Sequence, residues 1–136
     1  MHRKRAISEI DFGTPIFYDR YREQAGPEER GVKMDGIEKS MEIIAFGGQG
    51  KSLAMTAIQK ARAGEFEEAE ALMKEAHEAI VKCHQSHSEL LFYDAENQDL
   101  KFSMLLVHAA DHLTSADMTE AMAEEIIELY KEIRHV

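Results

Sequence analysis

Apolar side chains recur along this chain at the three-and-four spacing of a helix, and nothing alternates as a strand does. From residue 35 onward the pattern predicts a chain of long helices. Asp35 suits an N-cap, with Glu38 three residues later to complete a capping box. Ile37, Met41 and Ile44 follow, and the pattern resumes at Leu53, Ala54, Ala57, Ile58 and Ala61. Gly64 suits a helix end, which places the first helix at about 36–63. Phe66, Ala69, Met73, Ala76, Ile80, Cys83, His87 and Leu90 then form an unbroken heptad seam on a second helix. Glu67, Glu68, Glu70, Lys74, Glu75 and Glu78 give it a solvated outer face, on which His77 falls without an assigned role. The polar run 94–99 predicts a loop.

A third helix is expected from about 101 to 134, with adjacent apolar seams. One is Phe102, Leu106, Ala109, Leu113, Ala116, Ala123, Ile127 and Tyr130. The other is Leu105, His108, His112, Ser115, Thr119, Met122, Ile126, Leu129 and Ile133. A helix apolar over so wide an arc is surrounded by protein. Its companions in one chain do not suffice for that, so this helix is expected to pack on other subunits of a symmetric oligomer.

Residues 1–34 mix Pro15, Pro27, Gly13, Gly26 and Gly31 with scattered aromatics and hold no period for long. They predict an irregular or partly disordered arm, with a short helix near 18–23, ahead of one helical domain at 35–136. Net charge is -10 and uneven. Residues 1–33 carry seven Lys/Arg against six Asp/Glu, and residues 34–136 nine against twenty. An acidic body repels nucleic acid and suits a basic protein partner. The single cysteine, Cys83, excludes an intrachain disulfide and sits where a small hydrophobe belongs. No apolar run approaches the roughly 18–20 residues of a membrane span. The basic start, Met1 to Arg5, is not followed by an apolar signal region. The expectation is a soluble cytoplasmic protein with no membrane insertion.

Two stretches suggest chemistry. Ala45-Phe46-Gly47-Gly48-Gln49-Gly50-Lys51-Ser52 satisfies a relaxed phosphate-loop pattern, with Ala for the first Gly. Such a loop needs a buried strand before it, and Glu42-Ile43-Ile44 is a poor one. We therefore read this stretch as helix. Its glycines each cost about 1 kcal/mol relative to Ala, which close approach of a neighbouring helix would offset.

The second stretch, Leu105 to Ser115, sets His108, Asp111, His112 and Ser115 along one helical stripe in an otherwise apolar, small-residue run. Buried polar groups of this kind must be paired, metal-bound or used. One reading is a structural His–carboxylate contact. A second is a metal site, with His108 and His112 at i, i+4 and His84 and His87 completing it; the protein would then be a helical metal-binding or regulatory oligomer. A third is nucleophilic: an imidazole with an ordinary pKa of about 6.5 offers a lone pair to a phosphoryl group at physiological pH. Ala109 and Ala110 leave room for that group, and Ser115 offers a hydroxyl.

Gly48 to Ser52, Glu65-Phe66-Glu67-Glu68-Ala69, Ser88-Glu89-Leu90-Leu91 and above all Leu105-Leu106-Val107-His108-Ala109-x-Asp111-His112-Leu113 resemble enzyme IIA of the lactose/cellobiose (N,N'-diacetylchitobiose) class of the bacterial sugar phosphotransferase system. The resemblance covers roughly residues 36–133. It implies an all-α, antiparallel three-helix subunit assembling into a homotrimer. It implies that His108 accepts a phosphoryl group from the phosphocarrier HPr and passes it to a cysteine of the IIB component. The membrane IIC component would then take up a β-linked disaccharide such as lactose, cellobiose or diacetylchitobiose. Asp111 matches the aspartate that meets its copies on the trimer axis and can bind a metal, often magnesium, one per trimer. His112, Ser115 and His87 would support the site. The chain departs from the family pattern at Ala110, where Gln is usual, and at Thr114-Ser115. It departs again at Phe46-Gly47-Gly48, where the family has His-Ala-Gly, and at His87-Ser88, where it has Gln-Thr. Its arm is longer than usual.

Overall fold

The computed structural model describes residues 35–136; the irregular arm and its short helix, expected within 1–34, lie outside the described residues. The chain from 35 forms helices α1 (Gly36–Ala63), α2 (Phe66–Asn97) and α3 (Met104–Arg134). They run up, down and up. One core cluster joins Ile43 near the start of α1 to Cys83 and Leu90 late in α2 and to Ala109 and Leu113 early in α3. Another joins Ala57 and Ala61, Ala69, and Ile127 at the opposite end.

Each boundary has a local cause. Asp35 is extended, and its Oδ1 accepts from the Ile37 amide at 2.9 Å. Gly64 takes φ 89°, and the amides of Gly64 and Glu65 close back on the carbonyls of Ala61 and Lys60, a Schellman ending. The turn to α2 is thereby held to two residues, Gly64 and Glu65. Helix α2 continues past the expected loop start: Asp94 to Asn97 are helical, and Gln98 ends the helix at φ 55°. Ala95 and Glu96 are good helix formers, and a helix end exposed all round needs no apolar stripe to persist. Helix α3 begins later than the spacing suggested. Ser103 is extended, and its Oγ accepts from the Leu106 amide at 3.2 Å, so residues 101–103 are outside the helix. Phe102 therefore leaves the seam and is 81% exposed.

The glycine-rich stretch is helical throughout, so the phosphate-loop geometry is absent. Gly50 is packed so closely that an added methyl would stand 2.5 Å from Ile80 Cγ1 on α2. Gly47 lies between α3 and α2, where that methyl would meet the His112 carbonyl oxygen of α3 at 3.2 Å and Cys83 Sγ of α2 at 3.3 Å. Gly48 has nothing within 4 Å, so close packing accounts for only Gly47 and Gly50. Alanines dominate the rest of the core, consistent with helices drawn near each other. Among the described residues, no helix is long and apolar enough to cross a membrane.

Candidate functional site

Ala109, Leu113 and Ala116 anchor α3 in the core, and this decides which way its polar residues face. His108 precedes the buried Ala109 and is exposed. Its ring meets that of the half-buried His112 edge-on, with centroids 4.6 Å apart and an interplanar angle of 87°. The His112 backbone is the part of α3 that Gly47 admits against α1. One turn further, Ser115 Oγ accepts a hydrogen bond from Lys51 Nζ of α1 at 2.9 Å. Thr119 donates to the Ser115 carbonyl at 2.7 Å. The flank of α3 beside α1 thus carries His108, His112 and Ser115 in line, with the Lys51 ammonium at its lower end.

Asp111 is exposed on the outermost face of α3. Around it on the same face stand Met104, Val107, Met118, Met122, Leu129 and Ile133, all exposed. The expected second seam therefore lies partly on this face. Met104, Val107 and Met118 belong to it and were missed by a strict three-four count.

The other flank of α3 faces α2. Asp117 lies nine residues beyond His108, half a turn round the helix at about 100° per residue. Its Oδ1 is 2.7 Å from His84 Nε2. His87 has His84 and Asp117 as electrostatic neighbours; burial, then the nearby His84, depress its pKa, while Asp117 works the other way. His77 reaches α3 with Nδ1 2.9 Å from Glu120 Oε1. The site of four imidazoles on one metal is not formed within a subunit, because His84 is turned toward Asp117 and away from the His108 flank. Among the described residues, no three His, Cys, Asp or Glu side chains are gathered as a metal site.

Cys83 is fully buried, and its thiol donates to the Ile43 carbonyl at 3.2 Å. Burial, reinforced by the Asp117 charge, pushes its pKa up to about 11. It stays a protonated core group, as the seam suggested. The Lys51–Ser115 and His84–Asp117 contacts were not anticipated. Lys51 had a signal, since the relaxed phosphate-loop pattern singled it out for the wrong reason. Asp117 had none.

Arranged this way, an accessible imidazole stands on a rigid helix with a hydroxyl and an ammonium below it and a carboxylate one turn away. The family comparisons give that arrangement its context. Residues 38–131 match the family described as PTS system, Lactose/Cellobiose specific IIA subunit. The chain belongs to this family, whose members are components of the phosphotransferase system that takes up sugars. It is 42% identical over 92 residues to the lichenan-specific phosphotransferase enzyme IIA component of Bacillus subtilis, covering 68% of this chain and 84% of that one. The cellobiose-specific enzyme IIA of Bacillus anthracis superposes with a TM-score of 0.72 at 33% identity, over 79% of this chain and 98% of that one. The IIA(Chitobiose) chain of Escherichia coli, solved in complex with HPr, gives 0.66 at 31% identity over 75% and 99%.

Proposed function

We propose that His108 is the phosphoryl acceptor of a sugar phosphorelay in the cytoplasm, loaded by phospho-HPr and discharged to a cysteine of a IIB component. The observation that carries this is the open imidazole of His108 on a helix whose neighbouring residues are locked in the core. Phosphoryl transfer asks mainly for in-line access and charge stabilisation. A ring nitrogen of His108 supplies its lone pair to phosphorus as the donor's bond to phosphorus breaks. The IIB thiolate then attacks the same phosphorus, and the His108 nitrogen leaves with its lone pair restored. The edge-on His112 ring limits the rotation of His108 and so holds the attacking nitrogen in place. The acidic body suits HPr if the carrier docks with a basic face, and the relative solved with HPr supports that partner. The sugar is expected to be a β-linked disaccharide, as the lactose, cellobiose and lichenan names of the relatives suggest.

The exposed apolar face of α3 supports assembly of three subunits around this helix. Asp111 lies in the middle of that face, so three copies would converge as oxygen donors. Such a set suits a hard cation such as magnesium rather than zinc. When bound, the ion would offset repulsion among the carboxylates; Asp111 itself has no part in bond making.

The test is incubation with phosphoenolpyruvate, enzyme I and HPr, read by intact-mass spectrometry. One phosphoryl group per chain is expected on the wild type and none on His108→Ala. Uptake by His108→Ala equal to that of the wild type would remove His108 from the relay.

A further inference from the structure

Helix α1 carries an exposed apolar face of its own, separate from that of α3. Ile37, Met41 and Met55 are 66%, 53% and 47% exposed. Met41, Gly48 and Met55 follow one another at seven residues, which on a helix keeps them near one meridian with about 10 Å between successive members. Ala45 and Ser52, also exposed, complete an uncharged line. The middle of that line is a gap, since nothing lies within 4 Å of where a Gly48 methyl would stand. A glycine inside a helix costs about 1 kcal/mol relative to Ala, and among the described residues no contact offsets it.

This shoulder of α1 lies beside the proposed acceptor. Gly47 packs on the His112 backbone, and Ile44 packs on the core cluster that holds Ala109 and Leu113. Below them, Lys51 Nζ donates to Ser115 Oγ at 2.9 Å and ties α1 to α3. With packed helix axes roughly 8–10 Å apart and His108 about 6 Å along the axis from His112, the backbones of Gly48 and His108 are about 12 Å apart.

A protein that hands a phosphoryl group to His108 must cover it. Even a small transient interface takes about 600 Å² from each partner, a disc of about 14 Å radius. On one side of His108 that disc meets the exposed face of Met104, Val107 and Met118, which the proposed assembly would cover, and beneath it lie the buried Ala109 and Leu113. The direction left to the carrier is across α1, where the disc takes in Gly48.

We propose that the phosphocarrier docks on the shoulder of α1 formed by Met41, Gly48 and Met55, and that Gly48 is the notch that seats an apolar side chain lying beside the carrier's phosphohistidine. This rests on the relay reading. The uncharged shoulder supplies apolar burial, while the acidic body steers a basic carrier toward it. The contact forms on docking and persists through transfer, so it acts on KM rather than on the chemical step.

The experiment follows uptake from phospho-HPr by the full chain as rate against carrier concentration, with sedimentation velocity and thermal unfolding on each variant. Gly48→Phe fills the notch and should raise KM by roughly tenfold, the weight of one well-packed docking contact, with kcat nearly unchanged. Its unfolding temperature should not fall, because the space is open and Phe is a better helix former than Gly. Met41→Glu should raise KM in the same way, whereas Phe92→Glu, on the outer face of α2, should leave it alone. The proposal is overturned if Gly48→Phe and Met41→Glu keep the wild-type KM, if their defect lies in kcat alone, or if Phe92→Glu raises KM as much. It is also overturned if Gly48→Phe dissociates the assembly, since a second copy of the chain would then be what covers the shoulder. If the wild type takes up no phosphoryl group, or His108→Ala takes up as much, the relay reading has failed; if the wild type is phosphorylated on His108 and Gly48→Phe matches its KM, only the docking surface has.

Discussion

At the scale of single residues, the glycines of α1 separate sequence cost from structural need. Gly48 has open space around its α-carbon, so Gly48→Ala should stabilise the fold by about 0.5–1 kcal/mol, the helix-propensity difference. Gly50 sits 2.5 Å from Ile80 Cγ1 once a methyl is added, and that carbon is not the free tip of a flexible chain. Gly50→Ala should therefore destabilise by about 1–3 kcal/mol despite the same propensity gain. Chemical denaturation of the two variants checks the contrast; equal shifts would mean that α1 and α2 are not in close contact there. His87 offers a second test. Its pKa is depressed below the ordinary 6.5, by burial and then by His84. As pH falls below about 6.5 the unfolded chain takes up this proton before the folded one, so stability declines until the folded pKa is reached and then levels. His87→Gln should flatten that part of the stability profile, measured from pH 7.5 to 5. The proposed acceptor and its neighbours stood out by residue type alone, since His108, Asp111 and His112 fall in an otherwise apolar run. Lys51 on Ser115 was not, because a contact across 64 positions leaves no trace in local spacing.

At the scale of elements, periodicity located all three helices and the heptad seam of α2, since a stripe facing a core must repeat at the helical period. It failed at the junction of α2 and α3. There the last turn of α2 is polar all round, and the start of α3 is set by one hydroxyl rather than by its apolar residues. The Ser103 cap is thus expected to fix where α3 begins, and through that the framing of His108 one turn inside it. Ser103→Ala should cost about 1 kcal/mol, with faster amide exchange confined to the first turn of α3. The turn between α1 and α2 depends instead on the left-handed Gly64. An added side chain there would be strained by φ 89° and would crowd Arg134, whose Nη2 donates to the Arg62 carbonyl at 2.8 Å. Gly64→Ala should cost at least about 1 kcal/mol by thermal unfolding, more than the cap, because backbone strain and displacement of Arg134 act together.

At the scale of the whole molecule, α3 has two apolar sides, and among the described residues only one is covered. Ala109, Leu113, Ala116, Ala123 and Ile127 are buried, while on the opposite side Met118 is 61% and Met122 58% exposed. A run of this kind along one helix is the surface on which the proposed assembly would form. At the level of His108 this face is interrupted by the charge of Asp111, which would face its own copies if three chains assembled about this helix. Two substitutions on the same face should then act in opposite directions. Met118→Lys introduces a like charge into an apolar contact and should reduce the assembly to monomers in sedimentation velocity, with the helical signal in circular dichroism retained. Asp111→Leu removes the mutual repulsion of close carboxylates and should leave the assembly intact or tighter, and indifferent to magnesium chelation. If Asp111→Leu dissociated the protein, the carboxylate would be holding subunits together through a bound cation rather than being tolerated at their junction. If Met118→Lys left the mass unchanged, the exposed stripe of α3 would not be where the subunits meet.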